Sequence, residues 1–401
     1  MASSGFDMFD ACATDTTLTL FWDKPESADA NAAYTVLLDG VPAARVTHTF
    51  AVLTGLVPGR GYHVELRACL SEGAKSCRLA FRHCHTEAVK RDIDVTQAPY
   101  CAVGDGATLN TAAIQQALDD CDKDSRVVIP SGVFLTGALR MHSDSELHVR
   151  AGGVVQGSAD PRDYEPRVWS RFEGVERECY ASLINIGYLD HSAGYTTSNV
   201  RISGEGSVIG GGAALMRACI DAERQRMLAE LDERGRAELN AYIATCENGD
   251  TVFARCRGRL VNISNAENVE LSGVTFADGP SWNIHPIYSR RIITHGCSIR
   301  SRSVWNGDGW DPDSSEDCTL FDTLFDTGDD MVAIKSGKNP EGNAIGRPAR
   351  RVRVFSCKSL GGHGIALGSE MSGGIEDVRI WDTDIAHSRY GVHIKGTPKR
   401  G

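Results

Sequence analysis

Between residues 12 and 85, apolar positions alternate with polar ones in short runs: Leu18, Leu20 and Trp22, then Tyr34, Val36 and Leu38, then Tyr62, Val64 and Leu66. A period of two belongs to strands with one buried face, so this stretch predicts a small all-β sandwich. After a linker near residues 87–100, GDGATLNTAAIQQALDDC places Ile114, Ala117 and Leu118 on one face of a helix capped by Thr108 or Asn110. Such a helix would close the open end of a β-stack. Short β-branched runs then alternate with Gly, Asn and Asp turns, as in VVIPSGVFLTGAL, ELHVRAGGVVQGS and NVRISGEGSVIGG.

A motif of the form xVxIxxCxF recurs in NVELSGVTF, RIITHGCSI, DCTLFDTLF, RVRVFSCKSL and DVRIWDTDI. Its second position falls on Val269, Ile292, Cys318, Val352 and Val378, spaced 23, 26, 34 and 26 residues apart by subtraction. Spacings of this size suit one coil of a solenoid each. The chain is therefore predicted to be all-β: a sandwich over residues 1–90, then a right-handed parallel β-helix over residues 91–401. Stacked coils make a dry interior ladder and leave one outer face for a ligand. One gap, residues 200–269, interrupts the repeat with Leu215, Ile220, Met227, Leu231, Leu239 and Ile243 at roughly helical spacing amid charges. It predicts a helical insertion over about residues 213–246, packed against the stack or closing one end of a cleft.

Composition narrows the class. With 41% apolar and 24% charged residues and no apolar run approaching 18, neither a disordered nor a membrane-spanning chain fits. A net charge of -11 argues against a general nucleic-acid binder, so a polyanionic substrate would need a locally basic cleft. Residues 1–13 lack the basic flank and apolar core of an export signal, which points to the cytoplasm. The competing account is a periplasmic or secreted protein whose leader has been removed, with Cys69, Cys77 and Cys84 open to bridging. Thirteen cysteines without CxxC pairs exclude a zinc ribbon and cannot all pair, so most are expected as small buried apolar groups. Oligomeric state is left open.

Three consecutive coils carry polar clusters: NGDGWDPDSS, TGDDMVAIKSG and GGHGIALGS. Asp308 and Asp329 lie 21 residues apart, on neighbouring coils, so their side chains can converge. Hydrolysing a glycosidic bond requires a proton for the leaving oxygen and a base for water, and Asp308, Asp329 and Asp330 supply the carboxyl groups. Crowding raises the proton affinity of one member, and Gly328 lets the chain bend so that Asp329 and Asp330 serve one site. Asp311, Asp313, Asp322 and Asp326 are assigned to turns or outward faces. On the preceding coil, GPSWNIHPIYSRR offers Trp282, His285 and Tyr288 as a sugar-stacking subsite, with core packing as the alternative for Trp282. Lys335, Lys338 and Lys358 are candidates for local positive potential.

The three clusters, in this order, resemble the signature motifs of the polygalacturonases of glycoside hydrolase family 28, over roughly residues 101–401. LTGLVPGRGYHVELRAC resembles the tyrosine-corner region of fibronectin type III domains, with Tyr62 at the corner and Trp22 in the core. The first resemblance implies an inverting hydrolase of α-1,4-galacturonosidic bonds in pectin-derived polysaccharide or oligosaccharide. Asp329 would be the general acid, Asp308 and Asp330 the pair that activates water, and His363 the group holding one aspartate. No metal or organic cofactor is implied. RYGVHIKG resembles the family's Arg-Ile-Lys motif, with Lys395 matching and His393 in place of the arginine. Either Arg389 compensates, or Lys395 holds the substrate carboxylate, or the substrate is a decorated pectin such as rhamnogalacturonan or xylogalacturonan. Likeness to bacterial exo-acting members points to removal of terminal units. A β-helix pectate lyase would need calcium-binding carboxylates and a basic residue, and a β-helical carbohydrate-binding protein would need no carboxylate cluster. Family members commonly run several coils past the lysine motif, so a chain stopping six residues after Lys395 reads as lacking coils or covered by a partner.

Overall fold

In the computed structural model, residues 8–246, 248–397 and 400 are described. The chain divides into two compact units, residues 1–91 and 92–401.

The first unit is a sandwich of two antiparallel sheets. Strands β1 (Phe9–Ala13), β2 (Leu18–Trp22) and β5 (Phe50–Leu53) form one sheet in the order β1-β2-β5. The other contains β3 (Ala33–Leu38), β4 (Val41–Val46), β6 (Gly61–Cys69) and β7 (Cys77–His85) in the order β4-β3-β6-β7. The alternating positions noted above meet between them: Leu18, Leu20, Trp22, Tyr34, Val36, Val64 and Leu66 are all buried, and Trp22 meets Tyr34 edge-on at 5.3 Å. Tyr62 receives a hydrogen bond on its hydroxyl from the backbone N–H of Val57, five residues upstream, at 2.8 Å. This is the tie that defines a tyrosine corner.

The second unit is a parallel β-helix with three sheets running along its length. A nine-stranded sheet holds the xVxIxxCxF repeats in perfect register: Val200 pairs with Val269, Val269 with Ile292, Ile292 with Cys318, Cys318 with Val352 and Val352 with Val378. The first five of these side chains are buried in one continuous core. Immediately before each, the backbone turns left-handed, at Asn199, Asn268, Arg291, Asp317, Arg351 and Asp377, with φ between 48° and 58°. Asn and Asp tolerate this region best, which explains their recurrence there. An eight-stranded sheet follows each turn, and a third sheet runs from Leu139–Met141 through Ile184–Gly187, Val261–Ser264 and Ile284–Ile287. Bridges through Trp310 and Asp313 carry the third sheet onward to Val332–Ile334, Ile365–Gly368 and Val392–Lys395.

Helix α1 (Thr111–Asp119) covers the first coil with Ile114, Ala117 and Leu118. Asn110 occupies the N-cap position, but its side chain does not cap. It instead accepts from Val103 N and donates to the carbonyls of Val103 and Thr108, pinning the preceding loop. The insertion is α2 (Gly212–Glu230) and α3 (Glu233–Ile243), the latter capped by Asp232 accepting from Gly235 N. Leu215 and Cys219 of α2 enter the main core, while Met216 and Ile220 pack on Phe253, Ala254 and Val304. No residue of α3 is buried. All thirteen cysteines are free, nine of them buried, so Cys69, Cys77 and Cys84 are not bridged here. Among the described residues no helix is long and apolar enough to cross a membrane.

Because the ladder stacks one apolar side chain on the next, a single truncation opens a cavity that neighbouring coils cannot close. Ile292→Ala is expected to lower unfolding stability by about 2–5 kcal/mol, read as a shift of the urea midpoint at unchanged slope; no shift would mean that the ladder is not a packed core.

Candidate active site

The third sheet builds the site by repetition. Ile284, Trp310, Val332, Ile365 and Val392 are successive partners across its coils. Two residues upstream of each lie Trp282, Asp308, Asp330, His363 and Tyr390. Backbone hydrogen bonds hold that column in step: Gly309 N donates to Asp330 O at 2.9 Å, His363 N to Asp329 O at 2.8 Å and Ile365 N to Gly391 O at 3.0 Å. Gly362 makes the close approach possible, with φ +102° and a position where a Cβ would stand 2.2 Å from Thr327 Oγ1. The chain bends at Gly328 and Asp329, so Asp329 and Asp330 depart from simple strand alternation.

The side chains converge. His363 Nδ1 lies 2.7 Å from an oxygen of Asp329 and 3.8 Å from one of Asp330. Lys395, three coils along from Asp313 in the same sheet, donates from Nζ to Asp330 Oδ2 at 2.5 Å. Asp330 is buried and Asp329 about a quarter exposed, so the latter faces out of the cluster. Asp329, Asp330 and His363 offer ligand atoms within 4.8 Å of one another, enough to hold a metal ion in principle. Lys395 already neutralises one of those carboxylates.

Beneath this tier lies a buried one that sequence reasoning assigned wrongly. Asp311 and Asp313 are fully buried rather than in outward turns, because bridges tie this rung to the coils on either side and Arg171, His285 and Lys335 pack against the two carboxyl groups. Trp310 is itself fully buried and donates its indole N–H to Thr294. Asp313 accepts from Arg171 at 2.9 Å, and its pKa lies below the usual carboxylate range: burial pushes up, but the Arg171 charge and His285 outweigh it. Asp308 and Asp311 behave oppositely. Burial and the neighbouring carboxylates push Asp308 well up, with Lys335 opposing, and burial takes Asp311 to about 8. Asp322 and Asp326 do lie at the surface, Asp326 paired with Arg302.

Other expected binding residues are displaced inward. Trp282 is 3% exposed, stacked on Phe172 at 5.1 Å, with Arg259 and Lys335 over its ring at 4.6 and 4.7 Å, so it forms a floor instead of an open stacking platform. His285 is fully buried between Arg259, which donates to its Nδ1 at 3.3 Å, and Asp313 at 3.6 Å. Burial holds its pKa down to about 3, so it is neutral near pH 7. Tyr288 is likewise buried, its hydroxyl donating to Glu176. Lys335 is buried among Asp308 (3.7 Å), Asp311 (3.8 Å) and Glu370 (3.5 Å) rather than lining the cleft. Lys358 is exposed and pairs with Asp384. His393 stands beside Tyr390 at 5.0 Å, and Tyr390 stands 6.0 Å from His363. Arg389 lies over the Tyr390 ring at 5.3 Å, at the rim.

Sequence reasoning missed Arg171 and Glu370. Arg171 comes from the hairpin Val168–Phe172 and Val175–Cys179, 142 residues before its partner Asp313, and nothing in its local sequence marks it. For Asp311 and Asp313 a signal existed: their spacing from Asp308 within one motif.

A parallel β-helix that gathers carboxylates, an imidazole and a lysine outside one sheet is the architecture of the β-helical glycoside hydrolases. Residues 244–400 match the model of glycosyl hydrolases family 28. The chain is 29% identical over 371 residues to an exo-poly-α-D-galacturonosidase of Dickeya chrysanthemi, covering 89% of this chain and 60% of that protein. It is 32% identical over 313 residues to a probable polygalacturonase of Vitis vinifera, covering 75% and 56%. The chain thus spans about 60% of the length of these curated relatives. Its fold matches a family 28 exopolygalacturonase of Yersinia enterocolitica with a TM-score of 0.82 at 22% identity, over 99% of this chain and 77% of that one. A hyperthermoactive exopolygalacturonase of Thermotoga maritima aligns with a TM-score of 0.62 at 29% identity, over 78% and 70%. The chain is thus similar to glycosyl hydrolases family 28, whose model its residues 244–400 match.

The buried acid pair makes stability depend on pH. An acid whose folded pKa is raised stabilises the fold fully below its ordinary value of 3.8, and that contribution is lost as pH rises through about 8. Asp311→Asn should therefore leave the melting temperature nearly unchanged at pH 4 and raise it relative to the parent at pH 9; a gap that does not widen with pH would contradict a buried, protonated Asp311.

Proposed function

We propose that the chain hydrolyses α-1,4-galacturonosidic bonds of pectin or its oligosaccharides, removing galacturonate from chain ends with inversion. The observation that carries this reading is the convergence of Asp329, Asp330, His363 and Lys395 within hydrogen-bonding reach, beside Asp308. In this reading Asp329, the more exposed carboxyl, gives its proton to the leaving glycosidic oxygen. A water attacks the anomeric carbon from the opposite face, its proton passing to the Asp308 and Asp330 pair, so that one water is consumed per bond broken. His363 orients Asp329 through Nδ1, and Lys395 pairs with Asp330 while presenting positive charge to the substrate carboxylate. His393 supplies a second polar contact where the family places an arginine, with Arg389 at the rim. The exo mode is supported by the exo-acting names of the Dickeya and Thermotoga relatives.

Defined oligogalacturonides, with rhamnogalacturonan and xylogalacturonan fragments alongside, test this by product sizing and by NMR of the newly formed anomer. Monomer release with a saturated, inverted reducing end is expected. An unsaturated product would show a lyase, and no product at all a binding protein. Asp329→Asn should reduce turnover by about 10²–10⁴-fold with melting temperature preserved, and undiminished turnover would remove Asp329 from the acid role.

A further inference from the structure

Lys335 is a buried ammonium, 4% exposed, and its surroundings are unusual for a lysine that would grip substrate. Its Nζ faces four groups: Asp308 at 3.7 Å, Asp311 at 3.8 Å, Glu370 at 3.5 Å, and the Trp282 ring at 4.7 Å. Both oxygens of Asp311 and one of Asp308 have no hydrogen-bond partner, so this ammonium is the main compensation the two carboxyl groups have. Glu370, 3% exposed, is itself held by Arg400 at 3.0 Å and Ser369 at 3.1 Å.

We propose that Lys335 is a positioning residue for the hydrolytic reaction: it ties Asp308 and Asp311 into one singly charged unit aimed at the Asp329–Asp330 cluster, and Glu370 is the counterweight that anchors it. The inference rests on the hydrolase reading above and deepens it.

Charges of both signs balance here in a buried space. Asp308 faces Asp311 from its own segment, and Asp329, Asp330 and Lys335 from the next coil. Asp311 faces Lys335, Asp330, Asp308 and, from two coils earlier, Arg259. Two buried carboxylates side by side cannot both ionise unless a cation stands between them, and the proton they share belongs to the pair rather than to either residue. Lys335 alone could pull both protons off. Glu370 draws part of that charge away, and Arg400 limits how much. The result is a pair able to take up one proton from water, which is what a base needs.

This arrangement makes two substitutions act with opposite sign. Lys335→Met removes the cation, so the pair keeps its protons to higher pH. Turnover should fall about 100-fold with KM within about threefold, and the acidic limb of the kcat/KM profile should move up by about one pH unit. Glu370→Gln leaves Lys335 and Arg400 less compensated, so the limb should move down. A tenfold rise in KM with the limb in place would show that Lys335 binds substrate and overturn the proposal, as would limbs that move the same way in both variants. Should Lys335→Met fail to fold, the direction seen in Glu370→Gln decides alone. Carbon-13 titration of the Asp308 and Asp311 carboxyl groups, compared between the parent and each variant, needs no substrate. If the parent cleaves no galacturonan, the hydrolase reading falls while the titration still decides the pair: opposite displacements support it, and unmoved carboxyl titrations overturn it.

Discussion

The structure depends on the in-register hydrogen bonding of parallel strands from one coil to the next. A parallel strand has side chains at a period of two, so a slip of one residue would turn every inward side chain outward. The ladder from Val200 to Val378 prevents that slip, since each apolar residue sits on the one below it in a close-packed interior. The same register, read on the third sheet, stacks Asp308, Asp330 and His363 in one column. Core packing and site geometry are therefore a single constraint: whatever holds the apolar ladder in step also brings the polar column together.

Electrostatics then divides the column into two tiers. In the outer tier, Asp329, Asp330, His363 and Lys395 form short, charge-assisted contacts close to solvent. In the inner tier, Asp308, Asp311, Asp313, His285, Arg171, Lys335 and Glu370 are almost wholly removed from water, where an unpaired charge is costly. Nature has compensated each inner charge with an opposite one, save that three acids surround Lys335. The hairpin that supplies Arg171 and the loop that supplies Glu370 both hold this tier, and both are distant in sequence from the aspartates they serve.

How much of this could be read beforehand varies with the range of the interaction. The alternation in β2, β3 and β6, the coil repeat, the helical insertion and the Asp-Asp, Gly-His-Gly and lysine motifs were all legible, because strand periodicity, helix periodicity and turn chemistry are local. The tyrosine corner was legible for the same reason: Tyr62 reaches only to Val57. Burial of Trp282, His285 and Lys335 was not, since an aromatic or cationic side chain beside a motif reads alike whether it lines a groove or floors it. Asp311 and Asp313 were misjudged because Asp near Gly and Pro ordinarily marks a turn, and only the neighbouring coils turn that segment into a buried rung.

By itself, then, the amino-acid sequence determined the period of the solenoid, the residues of its apolar ladder, and which coils carry the carboxyl groups. Those properties follow from side-chain alternation and from turns that span a few residues. The tertiary structure decided which carboxyl groups are pushed above the ordinary carboxylate pKa and which are held below it, because that depends on charges such as Arg171 and Lys335 delivered from remote segments into a buried space. Local pattern sets the register; the dielectric and the company a charged group keeps are known only once every coil is in place.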